Sequence, residues 1–319
     1  MKKYFLLVVS VIMLVSCSNK PKQEQTTSED GSLSGTIQLS GAFALYPMVV
    51  KWAEEFRKIH PNVKIDISGG GAGKGITDAL AGVVDIGMVS REIYPGEISK
   101  GAFPVAVVKD AVVTTINANN PELASIKKTG LKRETAIKLW NQELKTWGDV
   151  LGTSTTTPVH VFTRSDACGA AETFAAWFGK KQENLKATAV FGDPGVASAV
   201  QKDKVGIGYN NIAYAYDQKT KVPFEGLAII PFDVNGNGQI DPEEDFYETT
   251  ETLIRAINEG LFPSPPARDL YLVTKEKPAK PELVAFLKYV LSEGQNYANE
   301  TGYISLSEEK LKGELAKLQ

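Results

Sequence analysis

The stretch VKIDISGGGAGKGITDAL, Val63 to Leu80, passes from a strand-like run through five glycines into a helix-like run. Val63, Ile65 and Ile67 alternate with polar neighbours, while Ile76, Leu80 and Val83 recur at helical spacing. A strand, a tight turn and a helix form the repeating unit of α/β folds. The turn has the outline of a nucleotide phosphate loop, which requires G-x-x-x-x-G-K-[ST]. Counted back from Gly73-Lys74, the first position is Ser68 and the last is Gly75. Both defining positions fail, and the hydroxyl that would ligate magnesium is missing. The physics beneath the motif survives. Glycines let a backbone approach a ligand, and the following helix presents unpaired N–H groups at its positive dipole end. The loop is suited to an anion of some kind, or to a tight turn with no ligand.

Outward from this unit the same alternation continues. Gly35–Ser40 reads as a strand, followed by Leu45, Val49, Trp52, Phe56 and Ile59 at helical spacing. Asp85–Ser90 is a third strand. Further strands are expected at Pro158–Phe162, Val205–Tyr209, Leu227–Phe232 and Arg268–Thr274, with helices from about Gly169, Pro281 and Ser307. Such alternation predicts an α/β fold with largely parallel sheets. Nearly 290 residues is large for one open sheet, so two lobes with a ligand cleft between them are expected. Extended segments at Asp110–Asn117 and Pro263–Asp269 are the expected crossings. Lobe I is then residues 35–116 plus 267–319, and lobe II is residues 117–266.

The N-terminus reads differently. Lys2 and Lys3 precede the apolar run Tyr4–Val15, too short for a bilayer span, so residues 1–16 read as a secretory signal. The run ends in Leu14-Val15-Ser16-Cys17, which resembles the lipobox of bacterial lipoproteins and implies lipidation of Cys17. The remainder of segment 17–34 is polar and suits a flexible tether. Loss of Lys2 and Lys3 moves the formal charge from −3 to −5, and no basic tract points to nucleic acid. With Cys17 lipidated, Cys168 is the one remaining thiol, so stability must come from packing rather than a disulfide.

Two further strand-to-helix turns accompany the glycine loop: Ser40-Gly41-Ala42-Phe43-Ala44-Leu45, and Arg164-Ser165-Asp166-Ala167-Cys168-Gly169-Ala170. Three helix N-termini and an arginine converging on a cleft would form a polar cage for a small tetrahedral oxyanion. The planar fork of Arg164 suits such a ligand, and Asp166 would orient that fork. At this point the chain resembles the phosphate-binding receptors of bacterial ABC importers, in the periplasmic binding protein superfamily. The resemblance runs from Gly35 to the C-terminus through GAFALYPMVVKWAEEF, GGGAGKGI, VDIGMVSRE, LWNQELKTWGDVLG, FTRSDACGAAETF, VGIGYNN, PARDLYLVTKEKP and SEGQNYANETGYISL.

The resemblance implies two lobes that close over an anion, which is passed to a permease in the inner membrane. It implies an exported, lipid-anchored receptor on the periplasmic or cell-surface face, and no enzymatic activity. Carried over, the oxyanion site comprises Phe43, Ala44, Ala72, Ser90, Arg164, Cys168, Gly169 and Ala170. The departures are specific. Relatives usually place a hydroxyl where this chain has Phe43, Ala72, Cys168 and Ala170, and many have an aspartate at Ser90. Each lost hydroxyl bond weakens binding by roughly 0.5–3 kcal/mol. An aspartate at position 90 would accept the proton of hydrogen phosphate and repel sulfate, so serine is a weaker filter. A different oxyanion is therefore an alternative ligand. Lys74 either adds positive charge to the site or points into solvent.

A second ion loop lies at 233–244. Asp233, Asn235, Asn237, Asp241 and Glu244 occupy positions 1, 3, 5, 9 and 12 of an EF-hand calcium loop. Gly238 stands at position 6, the Gln239 carbonyl at 7 and Ile240 at 8. The preceding LAIIPF reads as a strand, so a lone structural calcium loop is expected rather than a sensor; a calcium-stabilised structural or adhesion protein is the rival reading. An enzyme reading would make Cys168 a nucleophile. It lacks an assigned base, because the only histidines are His60 and His160.

Overall fold

The computed structural model describes residues 32–319. The expected signal at 1–16, the lipidated Cys17 and most of the expected tether lie outside the described residues. The strands are β1 Gly35–Gly41, β2 Val63–Gly69, β3 Ile86–Val89, β4 Ala102–Asn117, β5 His160–Arg164, β6 Thr188–Val190, β7 Gly206–Asn211, β8 Leu227–Ile230 and β9 Ala267–Lys275. They hydrogen-bond in the order β2-β1-β3-β9-β4-β7-β5-β6, with β8 also pairing β4.

The outer pairs of each half are parallel, β1 with β2 and β3, and β5 with β6 and β7. The pairs around the middle are antiparallel: β3 with β9, and β4 with β9, β7 and β8. The expectation of largely parallel sheets is corrected here. Helical crossovers make their flanking strands parallel, but β4 and β9 run between the halves without such a crossover and meet head to tail.

Two separate apolar cores flank the crossing. One gathers Leu39, Trp52, Phe56, Ile86, Val105, Leu272 and Phe286; the other gathers Val113, Trp140, Phe174, Tyr209, Ile230 and Phe232. The 16-residue strand β4 serves both. Val105, Val107 and Val108 pack in the first core, and Ala111, Val112, Val113 and Ile116 in the second. The change of core therefore falls at Lys109–Asp110, which pair in register with Asp269 and Arg268 of β9. Ala111, Val112, Val113 and Ile116, expected in lobe I, pack in the second core, and the charged pair Lys109–Asp110 interrupts the strand where the cores change.

The helix Tyr46–Ile59 buries Met48, Val49, Trp52, Ala53 and Phe56 along one face. The helix Ala72–Ala81 starts after Gly71, whose φ of +84° is costly for a side-chain-bearing residue. The helix Gly169–Trp177 is capped by the Cys168 side chain, whose Sγ accepts from the Ala171 N–H at 3.3 Å. These helix starts lie at the C-terminal ends of β1, β2 and β5, where ligands gather in α/β folds.

Candidate oxyanion site between the lobes

The glycine loop of one lobe touches the arginine turn of the other. The Gly73 N–H donates to the Ala167 carbonyl at 3.0 Å, and a Cβ at Gly71 would lie 2.7 Å from Asp166 Oδ2. Ser90, just past β3, packs against the start of the helix Gly169–Trp177; a Cβ on Gly169 would lie 2.0 Å from the Ser90 carbonyl oxygen. The first turn joins them, as Ala42 N–H donates to Met88 O at 2.9 Å and Gly71 N–H to Gly41 O at 3.1 Å. Ala44 and Ala72 are buried at the starts of their helical turns, and Ala44 O accepts from Tyr303 Oη at 2.6 Å. The three turns thus meet at one place in the cleft.

Arg164 is the only formal cation among the eight expected site residues, and it is buried. Asp166 takes Nε at 2.8 Å and Nη2 at 2.5 Å, while Nη1 is bound by Asp193. Burial works against the guanidinium charge, but Asp193 and Asp166 more than compensate and raise its pKa. Burial also opposes the charge on Asp166, yet Arg164 holds its carboxyl below the ordinary value. Asp193 Oδ1 accepts from the Asn211 amide at 2.8 Å, and Asn211 Oδ1 accepts from Arg268. Arg268 further donates to Thr173 at 2.9 Å and to Asp110 at 3.4 Å. One buried chain of charges and amides therefore links the site arginine to the two strands that cross between the lobes. Burial pushes the Asp110 carboxyl up to about 6 and lowers the Arg268 guanidinium.

Arg164, Asp166 and Asp193 together carry a net negative charge. With the arginine already neutralised by these carboxylates, the positive field left at the meeting of the turns comes from the starts of the helices. Asp193, Asn211 and Arg268 were absent from the sequence reading of the site. The available signals were an aspartate in the first turn of a helix and the paired asparagines ending VGIGYNN.

Phe43 stands where a hydroxyl was expected in relatives. Its ring lies 5.6 Å from the Arg164 guanidinium carbon and edge-to-face with Phe191 at 5.8 Å. Lys74, left open between site and solvent, pairs with Asp78 one turn along its own helix and is partly exposed. Cys168 is buried, its thiol pushed up to about 12 by burial, which removes the thiolate a nucleophile needs. His160 is paired with Asp203 at 2.6 Å and His60 packs on Phe56. A cavity of about 650 Å³ also lies between the lobes, lined by Arg91, Tyr94, Lys109, Thr173, Phe262 and Arg268 among others. None of the eight expected oxyanion residues lines it.

The ion loop at 233–244 is wrapped around its own carboxylates. Asp233 is buried and accepts from the N–H groups of Gly236 and Gly238, at 2.7 and 2.8 Å. Glu244 Oε1 accepts from Val234 and Asn235 N–H, and Asp241 accepts from the side-chain amides of Asn235, Asn237 and Gln239. Among the described residues no group of three His, Cys, Asp or Glu side chains converges in a metal-ready cluster.

Two α/β cores joined by paired crossing strands, with polar turns meeting between them, define a two-lobe solute-binding fold. The family model for the PBP superfamily domain matches residues 26–294, and the chain belongs to that superfamily. It is 26% identical to the phosphate-binding protein PstS of Staphylococcus haemolyticus, over 100% of this chain and 98% of that protein. It is 25% identical to PstS of Methanocaldococcus jannaschii, over 96% of this chain and 91% of that one. A Clostridium perfringens crystal structure, described as a phosphate ABC transporter substrate-binding protein with bound phosphate, superposes with a TM-score of 0.71 at 24% identity. That match covers 86% of this chain and 100% of the other. No helix among the described residues is long and apolar enough to cross a membrane.

Proposed function

We propose that this protein is an exported solute receptor that binds phosphate between its lobes and delivers it to an ABC-type permease. The observation that carries the reading is the meeting of three strand-to-helix turns, from both lobes, around Arg164. The relatives named above bind phosphate by their own descriptions, which supports the ligand. The protein acts by binding and closure and performs no covalent step. Isothermal titration with phosphate and sulfate tests the reading. Saturable heat with phosphate is expected; absence of heat from both anions would overturn it.

Two finer features belong to the same proposal. The Leu14-Val15-Ser16-Cys17 sequence supports a lipid anchor on Cys17, and Cys17→Ala should then release the protein from the membrane fraction. The 233–244 loop would hold calcium through Asp233, Asn235, Asn237, the Gln239 carbonyl, Asp241 and Glu244. Their spacing supports this reading, and the ion would brace the end of β8. Calorimetry with calcium and with a chelator should give different melting temperatures. An unchanged melting temperature and no heat of calcium binding would refute the site.

A further inference from the structure

We propose that Phe43 is a gate on the oxyanion cage and the residue that sets its affinity. This rests on the reading of the cage as a phosphate site. The ring spans the cleft. On one side it is pressed on the glycine loop, with a ring carbon 2.6 Å from where a Cβ on Gly69 would sit. On the other side it meets Gly192 and Phe191, and the Arg164 guanidinium lies over the ring. Phe43 is half-buried and Phe191 is 61% exposed, so the pair sits toward the outer rim of the cleft. The Phe43 backbone is anchored as well, its carbonyl accepting from Tyr214 Oη at 3.1 Å. With the main chain tied in place, displacement falls to the ring, by rotation of its side chain.

Two consequences follow. The ring supplies an apolar bridge between the lobes, beside the direct Gly73–Ala167 hydrogen bond. An anion approaching Arg164 must displace that ring, and it finds no hydroxyl donor there in return. The edge-to-face and cation–π contacts given up on displacement correspond to about a ten-fold change in Kd.

Three variants test this by titration with inorganic phosphate. Phe43→Ala removes the ring without adding a donor and should bind phosphate about ten-fold more tightly than wild type. Phe43→Ser adds a hydroxyl and should bind tighter still, while Phe43→Leu keeps apolar bulk and should stay close to wild type. Small-angle scattering of the ligand-free proteins gives a second readout. The alanine and serine variants should be more open than wild type. If wild type binds phosphate and the folded alanine variant binds no tighter and is equally closed, the gate is refuted. If neither wild type nor any variant binds phosphate, the underlying receptor reading fails instead.

Discussion

Replacing Asp193 with asparagine changes one oxygen to an amide and leaves the side-chain volume intact. In the native network Asp193 Oδ2 accepts from Arg164 Nη1, and Oδ1 accepts from the backbone and side-chain N–H groups of Asn211, at 3.3 and 2.8 Å. All three neighbours are donors. Whichever way the new amide turns, its NH2 faces a donor, and either Arg164 or Asn211 loses its acceptor. A hydrogen bond to a charged group contributes about 1.5–3 kcal/mol, and breaking a buried ion pair costs about 3–5 kcal/mol. Asp166 still holds Nε and Nη2 of Arg164, so the lower part of that range applies, about 3 kcal/mol. Urea unfolding of ligand-free protein, analysed with a common slope, measures it. The same change removes a negative charge near the cage. At an effective dielectric of about 20, two unit charges about 8 Å apart interact by about 2 kcal/mol. Phosphate should therefore bind more tightly to a protein that is less stable. A variant within about 1 kcal/mol of wild-type stability, or a folded variant that binds phosphate more weakly, would refute the reasoning.

Asp110, raised to about 6 by burial, makes stability depend on pH. A carboxyl whose native pKa is raised contributes stability that is full below its unfolded value, about 4, and is lost as pH climbs toward 6. Asp110 should thus remove up to about 3 kcal/mol across that window, and Asp110→Asn should flatten the decline in urea titrations; parallel profiles would contradict it. Ser90→Asp should weaken sulfate binding about ten-fold or more relative to phosphate, by like-charge repulsion, as read by titration of both anions. Equal losses for the two anions would show that position 90 is not a protonation filter. Iodoacetamide should label Cys168 at pH 8 at least about a thousand-fold more slowly in native than in urea-unfolded protein, because the thiolate is scarce and buried. Comparable rates by mass spectrometry would rule out that environment.

Much of the fold could be read locally. The strand at Val63, the glycine turn and the helix behind it announce themselves within one window, since alternation and helical period are properties of neighbouring residues. The same holds for the helix Tyr46–Ile59, which the spacing of Val49, Trp52 and Phe56 marks out. The second half of β4 was visible as an extended segment, but its first half was not assigned, and the antiparallel pairings at the centre left no local trace. Strand direction depends on which distant segment lies alongside. Departures at the site were legible as missing hydroxyls at Phe43, Ala72, Cys168 and Ala170, yet their consequences were not. Cys168 turned out to cap its own helix, and Lys74 paired with Asp78.

The amino-acid sequence by itself determined the βα units, the three anion-competent turns and the candidate arginine, because each is encoded within a few adjacent residues. Tertiary structure alone decided what saturates that arginine. Asp193 lies 29 residues from Arg164 along the chain, and Asn211, Arg268 and Asp110 extend the network onto both crossing strands. It also decided that Phe43 lies across the cleft. A buried charge takes the partners that folding brings within hydrogen-bond reach, and an aromatic ring fills whatever space its neighbours leave; neither is specified by spacing along the chain.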